Sequence, residues 1–267
     1  MTAPPRRAAF AITLALCGLA ACGRGGPERV QPGPQGNPGA LALLDAAREA
    51  HGSAALDRAE VSFRFRGTPF VLRRDGGAFR YARTLTDSLG RTVEEVVDND
   101  GAHRFVDGAD VPLAPDEAAR LATAVNSVAY FALLPAPLAD PAVRARSLGP
   151  GRVGDQAFDR VEVAFAQEGG GADWEDRYVY WLRPDGRIAY YAYSYEPNPA
   201  NASRTETGTR FRVLTGEQRV GGVLFQDWRN LTADTVGTLE AFGDAHGAGR
   251  TFRVSDVVLD SVRVRPL

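Results

Sequence analysis

Short turns constrain this chain more than any other feature. Asp75-Gly76-Gly77, Asn99-Asp100-Gly101 and Pro184-Asp185-Gly186 each separate two runs in which apolar and polar residues alternate. Such turns between period-two runs close antiparallel hairpins, because the backbone must reverse within two or three residues. The runs are Phe70 to Arg74 with Ala78 to Leu85, Arg91 to Val97 with Ala102 to Val106, and Tyr178 to Arg183 with Arg187 to Tyr195. Val61, Phe63 and Phe65 alternate with Ser62, Arg64 and Arg66 in an earlier strand, and Phe158 to Ala166 reads the same way. Arg204 to Thr215 and Arg219 to Thr232 are expected to turn at Gly216-Glu217. Thr251 to Val264 is the expected last strand, with a phase slip between Val254 and Val257 that predicts a bulge or bend. Strands joined in sequence by tight turns form a meander.

Two segments have helical spacing instead. Leu41, Leu44, Ala47 and Arg48 predict a helix over Ala40 to His51, with Gly52 placed to stop it. Pro115, followed by Asp116 and Glu117, opens a second helix over roughly Asp116 to Leu133. Leu121, Ala124, Val125, Val128, Phe131 and Ala132 share one of its faces.

The N-terminus carries an export pattern. Arg6 and Arg7 precede an apolar run from Ala8 to Ala20, which is too short for a helix to cross a bilayer core of about 30 Å. It fits the apolar part of a signal peptide. The run ends in Leu19-Ala20-Ala21-Cys22. Small residues before the cut suit a peptidase cleft, and the cysteine offers a thiol for lipid. Residues 1–21 are therefore expected to be removed and Cys22 to be lipidated. Cys22 would then be the only cysteine left, so no intramolecular disulfide could form. Residues 22–39 are rich in glycine and proline and read as a tether with a reach on the order of 20 Å.

Composition narrows the function. Every basic residue is arginine, and without Arg6 and Arg7 the net charge of −2 becomes −4. The arginines are dispersed among acids, so no nucleic-acid partner is expected. His51, His103 and His246 lie on different elements without ligand spacing, so neither metal nor cofactor is expected. Asp98-Asn99-Asp100-Gly101 lacks the spacing of a calcium loop, and no Gly-x-Ser-x-Gly or phosphate-binding loop occurs. Glu94-Glu95 and Glu175-Asp176 read as solvated strand edges. The chain is expected not to be an enzyme.

The order of elements resembles something known. It runs from the Cys22 lipobox and tether through the helix ending at His51-Gly52 and the hairpins to Ala129-Tyr130-Phe131-Ala132-Leu133-Leu134-Pro135. A tyrosine-rich hairpin and Gly221-Gly222-Val223-Leu224-Phe225 follow. This resembles a bacterial lipoprotein domain family of unknown function, itself similar to the LolA/LolB-type half-barrel superfamily of lipoprotein carriers. The resemblance implies a mainly β (α+β) fold for residues 40–267. A curved antiparallel half-barrel of about ten strands would have its concave face covered by the N-terminal and mid-chain helices.

Within that fold the aromatic strands are the candidate site. Tyr178, Tyr180 and Leu182 share one face, and Tyr191, Tyr193 and Tyr195 another, with Ile188 and Tyr190 opposite. Phe211, Phe225 and Trp228 follow on later strands, and Tyr130 and Phe131 lie on the second helix. Tyrosines suit a cavity for an amphipathic ligand, since the ring is apolar and the hydroxyl is polar. They suit a plain core equally well. Two functions stay open. One is an envelope lipoprotein that binds a lipid or acyl chain, with the second helix and the Gly169–Asp173 loop as a gate. The other is a scaffold that docks another envelope protein. Gly23 after the lipidated cysteine is compatible with the periplasmic face of the outer membrane.

Overall fold

A computed structural model describes residues 33–170, 174–197, 207–234 and 236–267. The signal segment and Cys22 lie outside the described residues. Folded structure begins within the stretch read as tether. Gln35–Gly36 (β1) pairs in parallel with Arg144 and Ala145. The approach is so close that a Cβ on Gly36 would lie 2.4 Å from the Ala145 carbonyl oxygen. Asn37 then caps the first helix, α1 (Pro38–His51), accepting the Ala40 N–H at 2.8 Å. Gly52 ends it in the left-handed conformation (φ 69°), as the spacing predicts.

The strands that follow are β2 (Arg58–Phe65), β3 (Thr68–Asp75), β4 (Ala78–Thr86), β5 (Thr92–Asp98), β6 (Gly101–Val106) and β7 (Ala109–Val111). Helix α2 (Pro115–Ala132) comes next. Then come β8 (Val143–Val153), β9 (Gln156–Phe165), β10 (Arg177–Leu182), β11 (Ile188–Tyr195), β12 (Gly208–Val220) and β13 (Val223–Thr232). A short helix α3 (Phe242–Gly247) precedes β14 (Phe252–Val257) and β15 (Leu259–Pro266). The first sheet has the order β1-β8-β9-β10-β11-β12-β13-β14 and the second β15-β2-β3-β4-β5-β6-β7. All pairs but β1–β8 are antiparallel, and neighbours are mostly sequential, as a meander requires.

The phase slip near Val257 is the joint of the fold. There β14 leaves the first sheet and, after Val258, β15 becomes the edge of the second. Asp227 accepts the Leu259 N–H at 2.9 Å, and Gln218 donates to the Leu259 carbonyl at 2.9 Å, holding the joint against β12 and β13. The two sheets thus form one open, curved antiparallel wall with fifteen described strands, more than the ten expected.

Several turns differ from the sequence reading for local reasons. Gly216 does not reverse the chain; it is a bulge inside β12, where the register shifts between Leu214 and Gly216. The reversal is at Gly221-Gly222, both at positive φ (57° and 84°) between the paired Val220 and Val223. Two consecutive positive φ angles make the tight hairpin turn whose twist matches the strands. A second bulge, between Trp181 and Leu182, changes the face of Ile188. It pairs with Leu182 and joins the same cluster as Tyr180 and Tyr191, not the opposite one.

Helices cover both faces of the wall. On the inner face α1 packs Ala40, Leu44 and Ala47 against Val161, Val163, Tyr180 and Ile188. The end of α2 packs Val128, Ala129 and Leu133 against Phe63, Phe70 and Leu72. On the outer face α3 places Phe242 against Trp181 and Phe211. The acidic pairs also differ from expectation. Glu95 is 4% exposed, because β5 is an interior strand, and it bridges Arg83 (2.7 Å) and Arg104 (2.8 Å). Asp176 is likewise buried.

Candidate functional site

The inner face is not filled everywhere. Between α2 and strands β9 to β14 lies a partly open recess of about 540 Å³. Its floor is set by strand register. Tyr180, Tyr191, Arg212, Asn230 and Ser255 are direct cross-strand partners on β10, β11, β12, β13 and β14, so they form one row across the sheet. The neighbouring row holds Val163, Tyr178, Tyr193 and Arg210. The sheet therefore grades from tyrosine on one side to arginine, asparagine and serine on the other.

The aromatic half is one connected cluster. Tyr178 stacks on Tyr193 with centroids 5.6 Å apart and on Tyr180 at 6.0 Å. From α2, Tyr130 leans on Tyr178 at 5.4 Å, and its hydroxyl lies 2.9 Å from that of Tyr180. Phe131 meets Phe65 edge-on at 5.1 Å. Burial raises the pKa of Tyr130, Tyr178, Tyr180 and Tyr191 well above that of a free phenol. These hydroxyls therefore stay neutral and able to donate.

Arg212 is the unusual residue. It is 8% exposed, yet no carboxylate among the described residues pairs with it. One terminal nitrogen donates to the Tyr191 hydroxyl at 2.6 Å and the other reaches the Tyr193 hydroxyl at 3.5 Å. Its guanidinium carbon lies 5.0 Å from the Phe131 ring centroid and 5.3 and 5.5 Å from those of Tyr191 and Tyr193. Among the described residues its Nε has no hydrogen-bond partner, and neither does the buried Oδ1 of Asn230.

The ten aromatics singled out from sequence divide. Tyr130, Phe131, Tyr178, Tyr191 and Tyr193 line the recess. Tyr180 and Trp228 lie beneath it, fully buried, with Trp228 edge-on to Tyr191 at 4.9 Å. Tyr195 stands at the end of β11, 6.2 Å from Tyr193 and stacked by Arg210. Phe211 is not a cavity residue. It alternates with Arg212, so it faces outward, against Trp181 and Phe242. Phe225 packs with Val223, Leu259 and Phe63 near the joint between the sheets. Gly170 borders the recess, while 171–173 of the same loop lie outside the described residues.

Arg212, Asn230 and Ser255 were not among the sequence candidates. A signal existed, since Arg212 interrupts Phe211 and Val213 on a strand that follows a tyrosine-rich one. The three histidines are scattered. His51 accepts the Ile188 N–H at 3.3 Å in the core, His103 faces Asp98 at 3.3 Å, and His246 lies beside Tyr190 and Phe211. No group of three or more metal-binding side chains occurs among the described residues.

Fold and recess define a class: a mainly β protein whose open antiparallel wall holds a helix-covered aromatic recess. Within it, the chain belongs to the family of unknown function DUF6503, whose model matches residues 69–245. No curated protein matches the chain. Among solved structures it is similar to a LolA superfamily protein from Nitrosomonas europaea, at 9% identity over 85% of this chain and 94% of that one, with a TM-score of 0.45. A DUF1329 family protein from Desulfovibrio piger matches at 10% identity over 84% and 92%, with a TM-score of 0.36. The Mycobacterium tuberculosis lipoprotein LppX matches at 12% identity over 57% and 87%, with a TM-score of 0.26.

Proposed function

We propose that the protein is a lipid-tethered, non-catalytic carrier or receptor of the cell envelope that holds a hydrophobic or amphipathic ligand in the recess under α2. The observation that carries this reading is the recess itself: about 540 Å³, walled by half-buried Tyr130, Phe131, Phe165, Tyr178 and Tyr193. Ligand pockets of 300–1,000 Å³ are typically apolar and aromatic with a few placed polar groups. Each Å² of apolar ligand surface taken from water there contributes about 25 cal/mol. Membrane attachment through Cys22 is supported by the apolar run and Leu19-Ala20-Ala21-Cys22, and an outer-membrane location by Gly23.

Native mass spectrometry of protein taken from its own membranes tests the binding reading. A lipid-sized adduct released on activation is the expected result. Its consistent absence, with an apo protein that also fails to take up added amphiphile, would overturn it. Peptide mass spectrometry of the mature N-terminus should show acylated Cys22; an unmodified terminus elsewhere would remove the tether.

A further inference from the structure

Among the described residues, nothing compensates the buried charge of Arg212. A guanidinium stays protonated at every physiological pH, and placing it away from water is unfavourable unless an anion or a full set of acceptors surrounds it. Here it meets two tyrosine hydroxyls and the faces of three rings, with Nε unpaired. Those contacts orient the group without neutralising it. Tyrosine hydroxyls are themselves donors kept neutral by burial, so the site gathers donors around one point. Asn230 and Ser255 continue the row on the next two strands, and the Asn230 amide nitrogen donates to the Ser255 hydroxyl at 3.4 Å, which leaves that hydroxyl's own hydrogen free to donate. At the rim, exposed Arg66 adds a second cation to the recess wall.

Among the described residues, Asp176 is the one acid lining the recess, and it has interactions of its own. It immediately precedes β10, four residues before Tyr180, and β10 lies two places from β12. Strand spacings put its backbone on the order of 15 Å from that of Arg212. The charge in the recess is therefore divided, with the cation on the β12 side.

Resting on the reading of the recess as a ligand site, we propose that the ligand is a single-chain anionic amphiphile. Its acid group pairs with the Arg212 guanidinium beside Asn230, and its chain lies along Tyr178, Tyr193 and Phe165 toward α2. A guanidinium presents two parallel N–H groups to an oxyanion, which suits a carboxylate or a phosphate monoester. Bound, the acid would neutralise a charge that no described residue compensates, and a neutral ligand would not.

Three twelve-carbon probes test this on the full chain at pH 8 and below their aggregation thresholds: dodecanoate, dodecyl phosphate and 1-dodecanol. Binding is read by calorimetry and by intrinsic tryptophan fluorescence, to which Trp228 beside Tyr191 contributes. The wild-type protein should bind at least one anion tenfold or more tightly than the alcohol, and the stronger of the two anions identifies the acid. Arg212→Met should erase that preference and leave dodecanol binding within about threefold, while Arg212→Lys should restore part of it. Near-ultraviolet circular dichroism of each variant checks that the tyrosine cluster is retained. Equal wild-type binding of alcohol and anions would overturn the anionic ligand and leave the recess reading standing. Failure of all three probes would overturn both.

Discussion

The two faces of strands β10 to β12 use the same kinds of residue and end in opposite states. Outward, Trp181, Phe211 and Phe242 close on one another. Phe211 stacks on Phe242 with centroids 5.5 Å apart and rings within 3° of parallel, and Trp181 meets it edge-on at 5.5 Å. Inward, Tyr178 and Tyr193 stack equally well, yet space remains above them. The difference lies in the cover. Helix α3 brings a phenylalanine down onto the sheet. Helix α2 presents Ala119, Ala122, Thr123, Asn126, Ser127 and Val128 to the recess, with aromatic residues only at Tyr130 and Phe131 near its end. A wall of short side chains cannot reach the tyrosines, so a recess persists where the outer face has a packed core. Aromatic content of a strand therefore does not distinguish core from cavity; the side chains of the covering element do.

The largest effect should come from truncating the closed face. Phe211→Ala should cost about 3–5 kcal/mol of unfolding free energy measured by urea titration, because it leaves a void among rings that cannot collapse. Tyr193→Ala, at a recess wall that already lacks partners on one side, should cost only about 1–2 kcal/mol. Equal losses would mean that the recess is closed in solution and the contrast between the faces is false.

Acid should expose the next difference. His51, at the end of α1, is fully buried, and burial lowers its pKa from 6.5 to about 4. The neutral ring accepts the Ile188 N–H beneath the inner face. The unfolded chain takes up a proton below pH 6.5 that the folded chain refuses until about pH 4. Stability from this residue is therefore complete above pH 6.5 and is lost as pH falls toward 4, by about 3 kcal/mol in all. His246, on the outer face, is also lowered by partial burial and acts in the same direction. His51→Leu should flatten most of the slope between pH 4 and 6.5, with His246 accounting for the residue of it. A slope unchanged in His51→Leu would mean that this ring is hydrated.

Gly52 sharpens the same anchor with a smaller effect. It holds φ at 69°, and a Cβ there would lie 2.3 Å from the Gly222 carbonyl oxygen. Gly52→Ala should cost about 2 kcal/mol from left-handed strain and displacement of the 221–222 turn. Thermal unfolding of the variant measures it, and a neutral result would separate α1 from that turn.

Much of this architecture was written locally. The turns at Gly76-Gly77 and Asp185-Gly186, the end of α1 at Gly52 and the start of α2 at Pro115 depend on residues a few positions apart, and sequence places them well. Gly216 and Gly221-Gly222 show the limit. Both look like reversals, and only the pairing of Val220 with Val223 and the register shift beside Leu214 distinguish turn from bulge. Arg144-Ala145 and Gly149-Pro150-Gly151 conceal β8, since glycine and proline there read as loop, while a bulge after Ser147 carries the strand through them. The site was legible only in part. Alternation brings out Tyr178, Tyr191 and Tyr193, but the row from Tyr191 to Arg212, Asn230 and Ser255 is an outcome of register across four strands. No window along the chain contains it. Phe211 faces outward because it pairs with Ala192 while Arg212 pairs with Tyr191, and Phe225 packs at the joint between the sheets; both placements rest on pairing between strands far apart in the chain.

The contrast between the faces has one direct test, with little effect on stability. If short side chains on α2 create the recess, a longer one at Ala122 should remove it. Leucine has high helix propensity, and Ala122 is only half-buried against open space. Ala122→Leu should therefore change the unfolding free energy by less than about 1 kcal/mol, with gained apolar contact offsetting lost side-chain freedom. A longer side chain there would take up part of the recess that Tyr178 and Tyr193 also line. Uptake of dodecyl amphiphiles should fall at least tenfold, whatever their charge, whereas Arg212→Met should affect the anions alone. A variant that is destabilised like Phe211→Ala would show that α2 already packs tightly on the sheet. A variant that keeps full affinity would place the ligand elsewhere on the wall.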